Sequence, residues 1–375
     1  NNCKMKEIEY RVCKRCVMDN ISTPEIIFDE NGYCNFCNDY IEKISKLTYQ
    51  GKESDKKLIE ILNKIKKTGE NNKYDCLIGI SGGLDSCYTA YLAKKYNLRA
   101  LLVHMDNGWD TDIGKRNIEN IVKKLGFDYI NYKLDWEEFR DLQLSFLKAS
   151  VPEIETPTDI AILAVNHVIA SQNNIKYIIS GGNYVTEGIL PKSWHYDVKD
   201  YKYIKSIHKQ YGTKDLDNLP IFDYKKEMYY KFVKGIRMIY ILNYIKYNPN
   251  EVLETLQKEF DWQYYNWKHY ESLYTQFVQK YILPAKFNID YRKTTLSTMI
   301  CSGLITRDEA LEILKEKPYN QTYVDTIKPI ICEKLEISID EFNDIMQAKP
   351  KTYKDFKNSK RKLEFIYKIY RKLFN

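Results

Sequence analysis

The stretch Cys76 to Ala93, CLIGISGGLDSCYTAYLA, decides how this chain folds. The apolar run Cys76 to Ile80 predicts a buried strand, the Ser81-Gly82-Gly83 segment predicts a tight turn, and Asp85-Ser86 begins a pattern of helical period. Glycines let the backbone come close to a ligand, and the free N–H groups in the first turn of a helix favour a bound anion. We therefore expect a phosphate group at this turn.

The turn is not a Walker A loop, because Leu84, Asp85 and Ser86 follow the glycines where that motif needs a lysine. It resembles instead the pyrophosphate-binding loop, or PP-loop, of the ATP pyrophosphatases, which cleave ATP between the α and β phosphates and form an adenylate. The resemblance implies a fold like that of the adenine nucleotide alpha hydrolases. It also implies ATP contacts from Ser81, Gly82, Gly83, Asp85 and Ser86, with catalytic roles for Asp85 and Ser86. An ordinary strand-to-helix turn with capping side chains is the structural alternative.

Strand and helix patterns alternate on both sides of this loop. Further strands are expected at Arg99 to His104, Asp128 to Leu134 and Lys176 to Ser180, with helices at Lys115 to Leu125 and Pro157 to Asn173. Such alternation predicts an α/β domain with a mostly parallel sheet and helices on both faces, in which ligands bind at the carboxyl ends of the strands.

Several residues that suit a nucleotide follow these strands. Asp106 follows the second strand and is expected to meet the adenosine, although turn formation accounts for it equally well. Gly181 and Gly182 follow the fourth strand and are expected to bind ATP. Glu187 is expected to act in catalysis and to hold Mg²⁺ together with Asp85, since carboxylate oxygens are ligands for that ion.

Two CxxC pairs near the N-terminus predict a metal site. Cys13 and Cys16 form the first pair and Cys34 and Cys37 the second, in the spacing of a four-thiolate zinc module. The segment Ile26 to Cys34 between them predicts a small hairpin. Four protein ligands leave no open position, so we expect a structural zinc ion, with an iron–sulfur cluster as the main alternative.

Composition bounds the rest of the chain. Its 375 residues with 44% hydrophobic side chains can form about two domains, and a net charge of +7 fits an anionic nucleotide as well as RNA. No apolar run reaches the ~20 residues of a membrane span, so we expect a cytoplasmic protein without membrane contact. We divide it into a zinc module (1–40), a helical linker (41–73), the ATP-binding domain (74–200) and a helical substrate or docking domain (201–375), with long helices at Lys225 to Lys246, Asn250 to Phe260 and Trp262 to Ile282.

Six motifs together resemble a narrower family, the bacterial N-acetyl sugar amidotransferases of surface-polysaccharide synthesis. They are YRVCKRCVMDN (10–20), PEIIFDENGYCNFC (24–37), SGGLDS (81–86), HMDNGWD (104–110), TPTDIAI (156–162) and ISGGNYVTEG (179–188). The resemblance runs over residues 10 to 200. It implies an ATP-dependent ligase that turns an acetamido group of a nucleotide sugar into an acetamidino group, with AMP and pyrophosphate released, in lipopolysaccharide O-antigen or related glycan synthesis.

The remaining cysteines do not form a recognisable glutaminase centre, because Cys76 and Cys87 read as packed apolar side chains. Ammonia is therefore expected from outside. The resemblance implies a separate glutaminase with a cyclase-like companion. Sugar-binding residues are expected in the segment after the fourth strand and in TPTDIAI, namely Asp159, Asn183, Lys192, Trp194 and His195.

Two other functions stay open at this point. A tRNA-thiolating PP-loop enzyme also joins a CxxC module to this loop, although cluster-dependent members need further cysteines in or just after the nucleotide domain. A non-catalytic scaffold that binds zinc and ATP would not require Asp85, Asp159 and Glu187. We therefore favour a sugar over a nucleic acid as the substrate, and the nucleic acid stays an alternative.

Overall fold

A computed structural model describes residues 9–265, 267–365 and 368. Five strands form one parallel sheet in the order β3-β2-β1-β4-β5. The strands are β1 Cys76–Gly79, β2 Ala100–Asp106, β3 Asp128–Lys133, β4 Tyr177–Ser180 and β5 Arg237–Tyr240. The chain moves from β1 outward to β3 and then returns to pair β4 with the other edge of β1. The switch point lies between β1 and β4, where a parallel sheet binds its ligands.

Helices surround the sheet and form the C-terminal part of the chain. The α-helices are α1 Asn35–Asp39, α2 Lys52–Gly69, α3 Leu84–Lys95, α4 Asp112–Leu125, α5 Trp136–Ala149, α6 Thr156–Gln172, α7 Tyr184–Glu187, α8 Tyr201–Tyr211, α9 Tyr224–Met228, α10 Pro249–Phe260, α11 Leu273–Phe277, α12 Leu283–Phe287, α13 Arg292–Cys301, α14 Arg307–Lys315, α15 Gln321–Leu335 and α16 Ile339–Gln347. Shorter 3₁₀ or π segments are Tyr40–Ile44, Ser45–Leu47, Tyr229–Val233, Ile241–Tyr244, Val278–Ile282 and Tyr353–Asp355.

Side chains alternate between the two faces of the sheet and enter two separate cores. Leu77 of β1 packs with α5 and α6, whereas its neighbours Cys76 and Ile78 pack with α2, α3, α4 and α10. Since successive residues of a strand point to opposite faces, a strand buried on both sides reads as a continuous apolar run. The predicted α/β architecture with helices on both faces is confirmed. None of the helices in the described part of the chain has the length and apolar character needed to cross a bilayer.

Two helix predictions beyond residue 200 are wrong. The segment Lys225 to Lys246 contains only the short helix α9 and a π turn before the chain enters β5, which pairs with Tyr177–Ser180. Gly235, at a φ of 69°, separates that turn from the strand. The segment Trp262 to Ile282 is helical only from Leu273 onward, since its first part is drawn against the phosphate loop. In both places tertiary contacts override a local pattern.

The cysteine module packs against the C-terminal helices. Arg307 of α14 donates hydrogen bonds to the carbonyl oxygens of Cys13 and Cys16, at 3.0 and 3.1 Å. Ser297 of α13 accepts the N–H of Val17 at 3.2 Å. The first and last parts of the described chain are therefore held together around α13.

Candidate functional site

The phosphate loop is shaped by close backbone packing. Gly82 has a φ of 82°, and a Cβ there would lie 2.4 Å from the carbonyl oxygen of Gly114. Only glycine fits such a position without strain or displacement. The Ser86 hydroxyl accepts the N–H of Ser81 at 3.2 Å and donates to the carbonyl of Gly83 at 3.1 Å, which draws the turn over the start of α3. The loop is thus held in one shape before any ligand binds.

The loop after β4 meets this turn directly. A Cβ on Gly181 would lie 2.8 Å from the carbonyl carbon of Asp85 and 2.9 Å from the Ser86 nitrogen, so the two loops touch through their backbones. Asn183 caps α7 by accepting the N–H of Thr186 at 3.0 Å. This cap places Glu187 at the end of a single helical turn, facing the first turn of α3. The loop after β4 therefore contacts Asp85 through Gly181 and carries Glu187 on the short helix that follows.

A lysine missed by the sequence analysis joins the two loops. The ammonium group of Lys268 lies 2.8 Å from Asp85 and 2.5 Å from Glu187, and it donates to Thr186 Oγ1 at 2.8 Å. Burial alone would lower the pKa of Lys268, but the two carboxylates outweigh it and raise that pKa above its usual value. Burial also opposes ionisation of Glu187, yet Lys268 lowers the pKa of this carboxyl group. Lys268 therefore stays positively charged at the loop.

Three more side chains from beyond residue 240 complete the loop's surroundings. Trp262 donates its indole N–H to the carbonyl of Gly82 at 3.0 Å, and the Tyr247 phenol donates to Asp85. Glu271 accepts the Ser81 hydroxyl at 2.9 Å. No motif pointed to these residues, and Trp262 and Glu271 lie in a segment whose pattern predicted a helix. Their importance comes only from where the fold places them.

The loop opens into a cavity of about 820 Å³ that extends to the N-terminus of α6. Its walls are acidic. Among the described residues that line it, Lys268 is the only lysine or arginine, and the carboxylates are Asp85, Asp110, Glu153, Glu155, Asp159, Glu187 and Glu271. Asp110 is paired with His104 at 2.7 Å. Unlike a site that binds anions through many basic side chains, this cavity has to bind phosphate through backbone N–H groups, Lys268 and a bound cation.

Three carboxyl groups line the cavity near the N-terminus of α6. Burial raises the pKa of Glu153 to about 7, of Glu155 to about 8 and of Asp159 to about 7. Glu155 accepts the hydroxyl of Thr275 at 2.6 Å, while its other oxygen is buried without a partner among the described residues. These groups exchange protons near neutral pH, which is the property of a proton acceptor in catalysis.

The structure separates the residues expected to bind sugar. Asp159, Trp194 and His195 all line the cavity, and the side chain of His195 is exposed. Trp194 is only 2% exposed and donates its indole N–H to the carbonyl of Ser22 at 2.8 Å, so it ties the cysteine module to the loop after β4. Lys192 is exposed to solvent and does not line the cavity.

Asp106 and Asn183 occupy structural positions. Asp106 accepts the N–H of Gly108 at 2.9 Å and is absent from the cavity wall, so its geometry matches the turn-forming alternative. The side-chain oxygen of Asn183 caps α7, while its amide nitrogen is buried and has no partner among the described residues. That nitrogen is a free donor beside the loop.

The four predicted cysteine ligands come together. The sulfur atoms of Cys13, Cys16, Cys34 and Cys37 all lie within 4.8 Å of one another, and all four residues are buried. The backbone N–H groups of Cys16 and Cys34 point at the Cys13 sulfur at 3.4 and 3.2 Å, an arrangement that favours a thiolate. The donor set fits a tetrahedral metal ion, and zinc and iron–sulfur chemistry both use such ligands.

Asp85 and Glu187 offer carboxylate oxygens beside the phosphate loop, but the ammonium group of Lys268 occupies the point between them. Tyr247 donates to the other oxygen of Asp85, so the expected Mg²⁺ would bind here only in place of Lys268. A hard divalent cation takes oxygen ligands of this kind together with phosphate oxygens.

A glycine loop that resembles a PP-loop lies at the switch point of a parallel sheet, in a chain that also carries a four-cysteine module. Residues 271–373 match the family model "LPS biosynthesis protein WbpG-like, C-terminal domain". This match lies entirely outside residues 10 to 200, which carry the amidotransferase resemblance, and it supports that resemblance independently. Over these residues the chain is similar to the WbpG-like proteins. A search of curated proteins found no match.

Solved structures resemble the chain only distantly. The U34-tRNA thiolase NcsA from Methanococcus maripaludis, with its [4Fe-4S] cluster, is 16% identical over 81% of this chain and 88% of its own, with a TM-score of 0.33. NMN synthetase from Francisella tularensis is 17% identical over 56% and 96%, with a TM-score of 0.29. A predicted tRNA methyltransferase subunit from Methanocaldococcus jannaschii is 18% identical over 49% and 75%, with a TM-score of 0.29.

Proposed function

We propose that the chain is an ATP-dependent amidotransferase that converts the N-acetyl group of a sugar into an acetamidino group. One observation carries the proposal: a single cavity joins the phosphate loop to carboxyl groups that exchange protons near neutral pH, and no described residue that lines it is a cysteine. The coarser assignment, an ATP-using enzyme of lipopolysaccharide synthesis, is supported by the loop and by the WbpG-like match.

The first step activates the amide. An amide oxygen is a poor leaving group, so it attacks the α phosphorus of ATP and the bond from that phosphorus to the bridging oxygen breaks. The products are an O-adenylyl imidate and pyrophosphate. The N–H groups of the loop, the Ser81 and Ser86 hydroxyls and Lys268 stabilise the charge that develops on pyrophosphate. Asp85 and Glu187 would hold Mg²⁺ in place of Lys268, and the ion would supply further charge stabilisation.

The second step replaces oxygen by nitrogen. Ammonia adds to the imidate carbon, a proton leaves the nitrogen, and the bond to oxygen breaks so that AMP departs with the former amide oxygen. Glu155 and Asp159, with pKa values of about 8 and 7, are suited to accept that proton. Water has to be kept away from the imidate, since hydrolysis would restore the amide and waste ATP.

The resemblance to the N-acetyl sugar amidotransferases suggests both the acceptor and the source of nitrogen. The acceptor is an N-acetylated sugar or nucleotide sugar, and the nitrogen comes as ammonia from a separate glutaminase with a cyclase-like companion. No described cysteine lines the cavity, and burial raises the pKa of Cys76 and of Cys87, so neither thiol is poised to serve as a nucleophile or sulfur carrier. This absence disfavours tRNA thiolation.

The test supplies purified protein with ATP, Mg²⁺, ammonium chloride and a panel of N-acetylated nucleotide sugars. Mass spectrometry should find AMP, pyrophosphate and a sugar in which NH replaces one oxygen atom, and none of these with the Asp85→Asn variant. AMP formed with tRNA and not with any sugar would favour the thiolating enzyme. Nucleotide binding without turnover in the presence of the glutaminase partner would favour the scaffold.

A further inference from the structure

Glu271 is a buried carboxylate beside the phosphate loop. It is 8% exposed, lines the cavity, and accepts the Ser81 hydroxyl at 2.9 Å through Oε1. Its second oxygen, Oε2, is buried and has no hydrogen-bond partner among the described residues. A buried carboxylate oxygen without a partner is costly, so such an atom calls for a ligand.

The position of Glu271 is fixed by its own backbone. Its carbonyl oxygen accepts the N–H of Thr111 at 2.8 Å and the Thr111 hydroxyl at 3.1 Å. A Cβ on Gly114 would lie 3.0 Å from the same oxygen, so α4 packs closely against this residue. The carboxylate is therefore held at the loop by contacts that do not involve its side chain.

The charges around the loop require a cation. Asp85, Glu187 and Glu271 are three carboxylates, and Lys268 is the only lysine or arginine among the described residues that line the cavity. Lys268 contacts Asp85 and Glu187, and no ion pair of Glu271 occurs in the described part of the chain. The triphosphate of ATP adds more negative charge at the loop. The Glu271 carboxylate, which is hydrogen-bonded to Ser81, would repel the triphosphate unless a cation lay between them.

We propose that Glu271 is a ligand of the divalent cation that accompanies ATP, with Oε2 as its donor atom. The excess of two carboxylates over Lys268 corresponds to the charge of one Mg²⁺. The cation would bind both to Glu271 and to the phosphate oxygens of ATP, next to Ser81. Nucleotide binding would thereby be coupled to the C-terminal part of the chain. This inference rests on the proposed function, because it assumes that the loop binds ATP.

The test measures Mn²⁺ binding by electron paramagnetic resonance in the presence of α,β-methylene-ATP, which cannot be cleaved at the relevant bond. Replacing even an outer-shell partner of a metal typically costs 10–100-fold in affinity. We therefore expect Glu271→Gln to weaken Mn²⁺ binding by at least about 10-fold, and Glu271→Asp to weaken it less. Glu254→Gln, at an exposed position on α10, is the matched control and should bind as the wild type does.

The outcomes distinguish a failure of the proposed ATP chemistry from a failure of the role of Glu271. If the wild type does not bind Mn²⁺ and the nucleotide at all, the proposed ATP chemistry fails together with this inference. If the wild type binds and Glu271→Gln keeps its Mn²⁺ affinity, only the role of Glu271 is overturned. Tighter binding of metal-free nucleotide to Glu271→Gln, with unchanged Mn²⁺ affinity, would identify Glu271 instead as a carboxylate that occupies the phosphate position and is displaced by ATP. Circular dichroism of each variant verifies that it is folded.

Discussion

The ammonium nitrogen of Lys268 lies 2.8 Å from Oδ2 of Asp85, although the two residues belong to different predicted domains. Asp85 stands in the first turn of α3, directly after the phosphate loop, and Lys268 arrives from a stretch without regular structure that precedes α11. The PP-loop lacks the lysine of a Walker A loop. Lys268 supplies that positive charge from a distant part of the sequence.

Replacing Lys268 should therefore impair the chemical step. Lys268→Met removes the positive charge and leaves Asp85 and Glu187 facing each other without it. Loss of one preorganised electrostatic contact typically lowers kcat by about 10²–10³-fold. Steady-state formation of AMP measures the effect.

Lys258→Met, on the exposed side of α10, is the matched control and should keep its activity. If Lys268→Met formed AMP at the wild-type rate, the assignment of Lys268 to the phosphate site would be wrong.

The cysteine cluster can be tested against a fifth cysteine beside it. Cys301, at the end of α13, lies against Cys37 but is outside the group of four. Cys34→Ser should lose the bound metal and lower the melting temperature, because a structural metal site contributes folding free energy directly. Cys301→Ser should keep both. Elemental analysis of the purified protein also distinguishes zinc from iron. Unchanged metal content in Cys34→Ser would show that the four cysteines do not form the metal site.

Trp194 and His195 are adjacent residues with different expected roles. Trp194→Phe keeps an aromatic ring but leaves the Ser22 carbonyl without its donor, a loss worth about 1–3 kcal/mol for a buried group. It should lower the melting temperature and leave KM for the sugar unchanged. His195→Ala should raise KM without changing stability, since His195 is exposed to the cavity. A raised KM with unchanged stability in Trp194→Phe would instead identify Trp194 as a sugar-binding residue.

The carboxyl groups near the N-terminus of α6 predict a pH dependence of stability. Burial raises the pKa of Glu155 to about 8 and of Asp159 to about 7, above the unfolded values of 4.5 and 3.8. The folded state therefore holds protons that the unfolded state has released, and the free energy of unfolding falls as the pH rises from about 4 to about 8. The contribution of these groups is fully present below the unfolded pKa values and is lost as the pH passes the folded ones.

The double variant Glu155→Gln, Asp159→Asn should show a shallower fall of melting temperature over that pH range than the wild type. In the wild type, the amidination rate should increase with pH as Glu155 and Asp159 ionise. The double variant should not show this increase. Identical melting profiles for the two proteins would mean that neither carboxyl group titrates as described.

The sequence predicted those features that depend on local patterns. The strand, glycine turn and helix from Cys76 onward, and the two CxxC pairs, each lie within a few dozen residues and follow from spacing alone. Strand β5 escaped prediction because its tyrosine-rich and lysine-rich surroundings resemble a helix, and only pairing with β4 makes it a strand. Lys268 and Glu271 escaped for a similar reason, since their contacts with Asp85 and Ser81 join distant parts of the chain.

The fate of the amide oxygen tests the central claim most directly. An acetamido sugar whose carbonyl carries a heavy isotope of oxygen is incubated with the protein, ATP, Mg²⁺ and ammonium, and the products are separated and weighed by mass spectrometry. Adenylation of the amide oxygen predicts one heavy atom in each AMP formed and none in pyrophosphate. Heavy oxygen in pyrophosphate, or AMP without label alongside an unchanged sugar, would contradict the proposed reaction.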